Sequence, residues 1–223
     1  MEIIKIEKEN WMTKKVGKET PISTLSLICL IVVSSLIYQS QFWNLDNYLP
    51  ANYHFAITQH QYYRLWASLF LHADLSHLFS NLLMLTPFAY FLMGQFGYFY
   101  FPLIGILLGG LINWLTLLTM PENTYLIGIS GVVYWLGATY LTLSFLLDTR
   151  EKKFKRFIKV SGVALILFFP EVIKTEVSYM AHFIGFILGI ISALILYLKN
   201  KKLYLSARKF EYKLEYDEDE LYF

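Results

Sequence analysis

The sequence is short of charge and nearly devoid of cysteine. Only 16% of its 223 residues are Asp, Glu, Lys or Arg, against 56% hydrophobic residues and a mean hydropathy of +0.45. Soluble domains carry about a quarter charged residues, so an ordinary water-soluble fold is the first class excluded. Cys29 is the single cysteine and sits in the middle of an apolar run. That rules out a disulfide framework and a cysteine-based zinc site, and leaves Cys29 as a small core residue. No H-E-x-x-H motif is present to bind zinc, and no pair of aspartates lies deep in an apolar run. There is no internal repeat, no low-complexity linker and no nucleic-acid-binding pattern, and no motif requires a cofactor or a metal.

What the sequence does have is long apolar runs. About 20 mainly apolar residues cross the roughly 30 Å of a bilayer's hydrocarbon, and six such stretches are present: 21–38, 75–96, 98–118, 126–147, 157–173 and 177–198. The fifth is the poorest, with Lys159 near one end and Pro170 near the other. The first follows basic residues as a secretory signal does, but it is long and no A-x-A cleavage pattern comes after it, so it reads as a retained anchor. The expected fold is all-α, a polytopic bundle of six transmembrane helices. Residues 1–20 form an N-terminal tail, 21–198 the membrane domain and 199–223 a C-terminal tail.

The positive charges orient this bundle. Of the 19 Lys and Arg residues, all but Arg64 and Lys174 fall in the N-terminal tail, in the loop between the fourth and fifth spans, or in the C-terminal tail. Positive charge concentrates on the cytoplasmic side of membrane proteins, so both termini are expected there. An odd number of spans would scatter the charges across both faces. The segment from about 203 to 223 mixes charge with tyrosine and ends in EYDEDELYF. It reads as a mobile cytoplasmic tail, with attachment to the membrane face through its aromatics as the alternative. The N-terminal tail has Lys and Glu but no Arg, unlike a mitochondrial transit peptide.

Polar residues within the spans are the informative ones, because hydrocarbon makes them costly. His77 and Asn81 stand one turn apart on the second span and share a face. His72 lies about 140° away from His77 on an ideal helix and belongs to the turn leading in. At the start of the fourth span, Gly128 and Gly131 flank Ser130 in a G-x-S-G string. Glycines there allow unusual dihedrals and close backbone approach, and a helix N-terminus offers unpaired N–H groups to a developing oxyanion. His182 enters the sixth span a few residues deep, followed on one stripe by Gly185 and Gly189. Pressing that stripe against Ser130, Tyr134 and Gly137 of the fourth span would bring Ser130 and His182 within hydrogen-bonding reach. Taken singly, a G-x-S-G is usually a glycine-flanked helix start and a buried His an interhelical hydrogen bonder. Three polar sites at one depth on three different helices point to a joint site.

These pieces together resemble the rhomboid family of intramembrane serine proteases. The resemblance is carried by YYRLWASLFLHADLSHLFSNLLML, GISGVVYWLG and AHFIGFILG, in the family's order, over roughly residues 60–190. It implies Ser130 as nucleophile and His182 as general base, with no acidic third member. His77, Asn81 and the backbone N–H of Ser130 would form the oxyanion hole, Tyr134 would pack beneath the catalytic histidine, and His72 would have a structural role beside the cavity. The implied substrates are transmembrane segments of other membrane proteins, cut within the lipid bilayer, with a preference for small residues and for helices that unwind. The fifth span and the loop Glu171 to Met180 would form the lateral gate and cap. A prokaryotic cytoplasmic membrane is the expected location, with the site opening to the outer side.

The sequence departs from the family at two places. Tyr63 precedes Arg64 where tryptophan is common, and Arg64 reads equally as part of that motif or as an interfacial side chain snorkelling to water. After the second span the family's G-x3-E-x3-G is replaced by YFLMGQFGYF, which lacks the glutamate. The aromatic-rich stretch 41–71 suits a first loop partly sunk in the outer leaflet, and His54 and His60 read as loop residues. Gly105 and Gly109 in the third span form a small-x3-small pattern, expected to pack helices. Two alternatives use the same residues: a non-catalytic relative that escorts membrane proteins, and a transporter relaying protons through His77 and His182.

Overall fold

The computed structural model describes residues 2–168 and 178–215. In chain order the elements are β1 (Glu2–Glu9), α1 (Thr20–Gln39), β2 (Ala51–Asn52), α2 (Arg64–Ala67), α3 (Leu75–Phe96), α4 (Gly105–Leu117), β3 (Tyr125–Leu126), α5 (Ser130–Leu147), α6 (Lys153–Phe168), α7 (Tyr179–Ser206) and β4 (Lys209–Glu215). Five stretches among the described residues are long and apolar enough to cross a membrane: α1, α3, Phe99–Leu117 ending in α4, α5 and α7. The protein is a polytopic helical bundle. α6 has 16 described residues, and the rest of the expected fifth span, like most of the expected cap from Glu171 to Met180, lies outside the described residues.

Local chemistry sets the helix limits. Asp74 caps α3 by accepting the His77 N–H at 2.8 Å, and Gly97 ends that helix at φ 96°, a conformation few other residues adopt cheaply. α5 begins four residues later than the sequence pattern suggests. Tyr125 and Leu126 pair with β2, and the chain then turns through Gly128 at φ 108° before the helix can start. α7 runs to Ser206, beyond the expected end at 198, because Lys199, Lys201 and Lys202 are good helix formers that can reach water.

α5 is the central helix, enclosed by α3, α4, α6 and α7. Hydrocarbon supplies no hydrophobic drive for helices to associate, so contact depends on close fit. α7 achieves this through its small residues. A Cβ at Gly189 would stand 2.5 Å from the Trp135 carbonyl oxygen, and one at Gly185 would collide with the Gly131 carbonyl. Between these helices Trp135 Nε1 donates to Ser192 Oγ at 3.0 Å and Thr139 Oγ1 to the Gly189 carbonyl at 3.2 Å. Gly105 and Gly109 of α4 pack in the same way, a Cβ at Gly109 falling 2.6 Å from Val132 and 2.7 Å from Leu69. The outward faces are apolar and open: Ile22, Leu25 and Val33 of α1, Phe79 and Leu83 of α3, Phe183 and Leu198 of α7, and Cys29, expected in the core, is exposed on α1. In water such a belt would aggregate, whereas lipid is its natural solvent.

At the end of the bundle that carries β1 and β4, residues 203–215 of the expected mobile tail form the last turn of α7 and β4, and the remainder of that tail lies outside the described residues. β1 and β4 pair antiparallel over seven registered positions from Glu2↔Glu215 to Glu9↔Lys209. KFEYKLE alternates apolar and polar residues throughout, as a strand with one covered face does, whereas EIIKIEKE carries its apolar residues at Ile3, Ile4 and Ile6 and is polar from Glu7 to Glu9. The segment after β1 then ties three helix ends together. Asn10 Nδ2 donates to Asp148 at the end of α5 at 3.0 Å, Trp11 Nε1 to the Gln95 carbonyl of α3 at 2.9 Å, and the Trp11 ring packs edge-on to Tyr204 of α7 with centroids 4.8 Å apart. Glu7 accepts from Thr149 at 2.5 Å and from Arg208 at 2.6 Å.

Candidate active site

At the opposite end three helices begin side by side: α3, α5 and α7. α3 is capped by Asp74, and α7 by Ser178, whose hydroxyl accepts the Ala181 N–H at 3.3 Å. α5 has no side-chain cap at Ile129. The first backbone N–H groups of α5, that of Ser130 among them, thus lack the acceptor its neighbours possess, and carry the positive end of the helix dipole.

The residues singled out in the sequence converge here. Ser130 is the first residue of α5 and half-buried, while His182 lies one turn into α7 and is buried. The glycine contacts bring their backbones together: a Cβ on Gly131 would lie 3.4 Å from the Ala181 carbonyl oxygen and 3.7 Å from the Ala181 Cβ. The His182 imidazole stacks on Tyr134, with centroids 4.0 Å apart and planes 12° from parallel. Tyr179 meets the same imidazole edge-on at 6.4 Å. Two aromatic rings one turn from Ser130 and His182 thus define the plane of the histidine without any carboxylate.

His77 sits across from the turn that leads to Ser130. A Cβ at Gly128 would come within 2.8 Å of His77 Cε1 and 2.9 Å of its Nε2, so only glycine permits both the positive φ and the imidazole's position. Asn81, buried one turn along α3, donates from Nδ2 to the His77 carbonyl at 3.0 Å, leaving its second amide proton for another acceptor. His72 is fully buried in the turn before α3 and shares a 2.8 Å hydrogen bond with Ser35 of α1 through Nδ1. Its ring meets that of His77 edge-on at 5.0 Å. Burial, followed by the proximity of His77, pushes the His72 imidazole down to about 4 and keeps it neutral at ordinary pH.

Two supporting residues were missed in the sequence. Asn113, buried in α4, donates to the Leu65 carbonyl at 2.9 Å and to Ser68 Oγ at 3.1 Å. The Ser68 carbonyl accepts the Gly128 N–H at 2.9 Å. Together they pin the first loop, α4 and the Ser130 turn to one another. Asn113 is an amide inside an apolar span, which was the available signal. Arg64 departs from the snorkelling alternative: it is 2% exposed and donates to the carbonyls of Pro50 at 3.2 Å and Asn47 at 2.9 Å, with its Nε on Gln61 at 2.7 Å. It locks the first loop from within. His54 and His60 bond locally, to Gln59 and Tyr62.

Among the described residues no three His, Cys, Asp or Glu side chains come together as a metal ion would require. The groups that are gathered, a hydroxyl, two imidazoles, an amide and a bare helix start, suit acyl transfer.

The rhomboid domain family model matches residues 59–199, well over half of the chain. The chain belongs to the rhomboid family. A search of curated proteins finds no match. Rhomboid proteins are intramembrane serine proteases, which makes this an integral membrane protein of a hydrolase family acting on membrane-embedded substrates. The match begins just before α2 and ends within α7, so it includes every residue of the candidate site and excludes β1, α1 and β4.

Proposed function

We propose that this rhomboid protein cleaves peptide bonds in or beside the transmembrane helices of other membrane proteins, with Ser130 as nucleophile and His182 as general base. The observation that carries this reading is the meeting of α5 and α7 through Gly131 and Gly185, with Tyr134 stacked on His182. His182 takes the Ser130 hydroxyl proton as the oxygen attacks the scissile carbonyl, and returns it to the leaving amine. The tetrahedral oxyanion is met by His77, Asn81 and the Ser130 N–H, each worth about 10²- to 10³-fold in rate. Water then resolves the acyl-enzyme. Tyr134 and His72 hold the two imidazoles in place, and Gly128, Gly131, Gly185 and Gly189 let the parts approach.

A helical substrate conceals its carbonyls in its own hydrogen bonds, so segments that unwind readily are preferred. The distribution of Lys and Arg supports cytoplasmic termini and a site opening to the outer side, from which water enters. A prokaryotic cytoplasmic membrane fits this arrangement. The division into tails at 1–20 and 199–223 around a membrane domain at 21–198 is retained for substrate engagement, even though both tails contribute strands. The fifth span and the following loop serve as lateral gate.

The test is cleavage of a tagged transmembrane substrate in proteoliposomes by the unaltered protein, Ser130→Ala and His182→Ala. Activity in the first alone supports the dyad. Equal cutting by all three would mean a contaminant, and no cutting of any helix offered would favour the escort alternative.

A further inference from the structure

Beside the clasp of the termini lies a cleft of about 500 Å³ that the proteolytic reading leaves unused. One wall is the segment between β1 and α1, with Trp11, Lys14 and Lys15; the other is the junction of α7 and β4, with Leu203, Ser206 and Lys209. Glu9 also lines it, but is paired with Lys209 at 2.7 Å. Lys14 and Lys15 have no acidic partner among the described residues. Lys14 is held against the wall, its ammonium 3.4 Å from the centre of the Trp11 ring. The cleft therefore presents an unneutralised, partly fixed pair of cations.

Its depth in the membrane is informative. The apolar stretch of α7 ends at Lys199, and Leu203 lies four residues further, about 6 Å along the helix. The headgroup layer extends about 5–7 Å beyond the hydrocarbon on each side. The cleft thus lies at the depth where phosphates of lipids lie. We infer that it binds a phosphate-bearing anion through Lys14 and Lys15, the headgroup of an anionic phospholipid being one source and free phosphate the other.

The test uses the full chain purified in neutral detergent and read by native mass spectrometry, with phosphatidylglycerol and phosphatidylcholine of identical acyl chains. The unaltered protein should retain phosphatidylglycerol several-fold over phosphatidylcholine, and Lys14→Ala with Lys15→Ala should weaken that retention on the order of tenfold. Lys14→Arg with Lys15→Arg should keep it. Displacement by millimolar inorganic phosphate would identify free phosphate as a competent occupant, and resistance to it would identify the lipid headgroup; both support the site. Equal retention of the two lipids, alanine variants that bind like the unaltered protein, or arginine variants that lose binding would each overturn it. The readout is binding, so it stands apart from whether the protein cuts a substrate.

Discussion

The two ends of this bundle use polar groups in opposite ways. At the end with the termini, Glu7, Asn10, Asp148, Arg150 and Arg208 are matched to one another, and all six ion pairs among the described residues lie there. At the other end, Ser130, His77, Asn81 and His182 gather on three helix starts, held by aromatic faces, glycine contacts and backbone carbonyls. Charge pairing closes a structure, because the charge of each group is met by that of its partner. Positioning by stacking and close packing leaves hydrogen-bonding capacity for a reacting carbonyl. Under the proposed function the first end serves cohesion and the second chemistry, so substitutions at the two ends should separate stability from activity.

The largest effect should come at the chemical end. Asn81→Ala is expected to lower kcat for a transmembrane substrate by about 10²- to 10³-fold with little change in melting temperature. Loss of stability equal to the loss of rate would collapse the distinction between the ends. Next is Gly185→Ala, which places a methyl against the Gly131 carbonyl on the shared axis of α5 and α7. It should cost about 1–3 kcal/mol of stability and also displace Ser130 from His182, so both readouts should fall. Unchanged activity would mean that the two helices tolerate separation.

Smaller, and confined to stability, is Glu7→Gln. The group is buried beside Arg208 and Thr149, and one carboxylate oxygen already lacks a partner, so the amide should loosen the clasp by about 1–3 kcal/mol while the cleaved fraction stays within twofold at moderate temperature. The smallest effect is a pH dependence. Burial raises the Glu7 carboxyl, but hydrogen bonds from Arg208, Thr149 and Asn10 outweigh it and hold the group below its usual 4.5. Hydrogen bonding from Arg150, opposed by burial, likewise holds Asp148 below 3.8. A carboxyl lowered on folding contributes stability above its unfolded value, and that contribution is lost as pH falls through the folded one. Melting temperature should therefore be flat in this respect above about pH 5 and decline below 4.5, less steeply in Glu7→Gln.

Much of this division was legible in the sequence, for identifiable reasons. α3 was expected at 75–96 and is found at Leu75–Phe96, because Asp74 and Gly97 punctuate it with local chemistry that needs no tertiary context. The candidate site residues stand out in the sequence because a polar side chain in an apolar span is conspicuous. The clasp was not, although β4 alternates with period two, because its pairing joins Glu2 to Glu215 and no local pattern reports a partner so distant in the chain. Arg64 left two readings open for the same reason: its acceptors are carbonyls of residues up to 17 positions away, and a carbonyl leaves no mark in sequence. The later start of α5 depended on β2 and β3 pairing across the first loop, again a long-range event.

The central claim is that Ser130 is an activated nucleophile and that His182 activates it. The most direct measurement is labelling by a fluorophosphonate probe in detergent or liposomes, followed by mass spectrometry of the modified peptide. One modified residue is expected, Ser130, with no labelling in Ser130→Ala and a rate in His182→Ala lower by at least about 10³-fold. Labelling elsewhere in the chain, or an unchanged rate in His182→Ala, would contradict it.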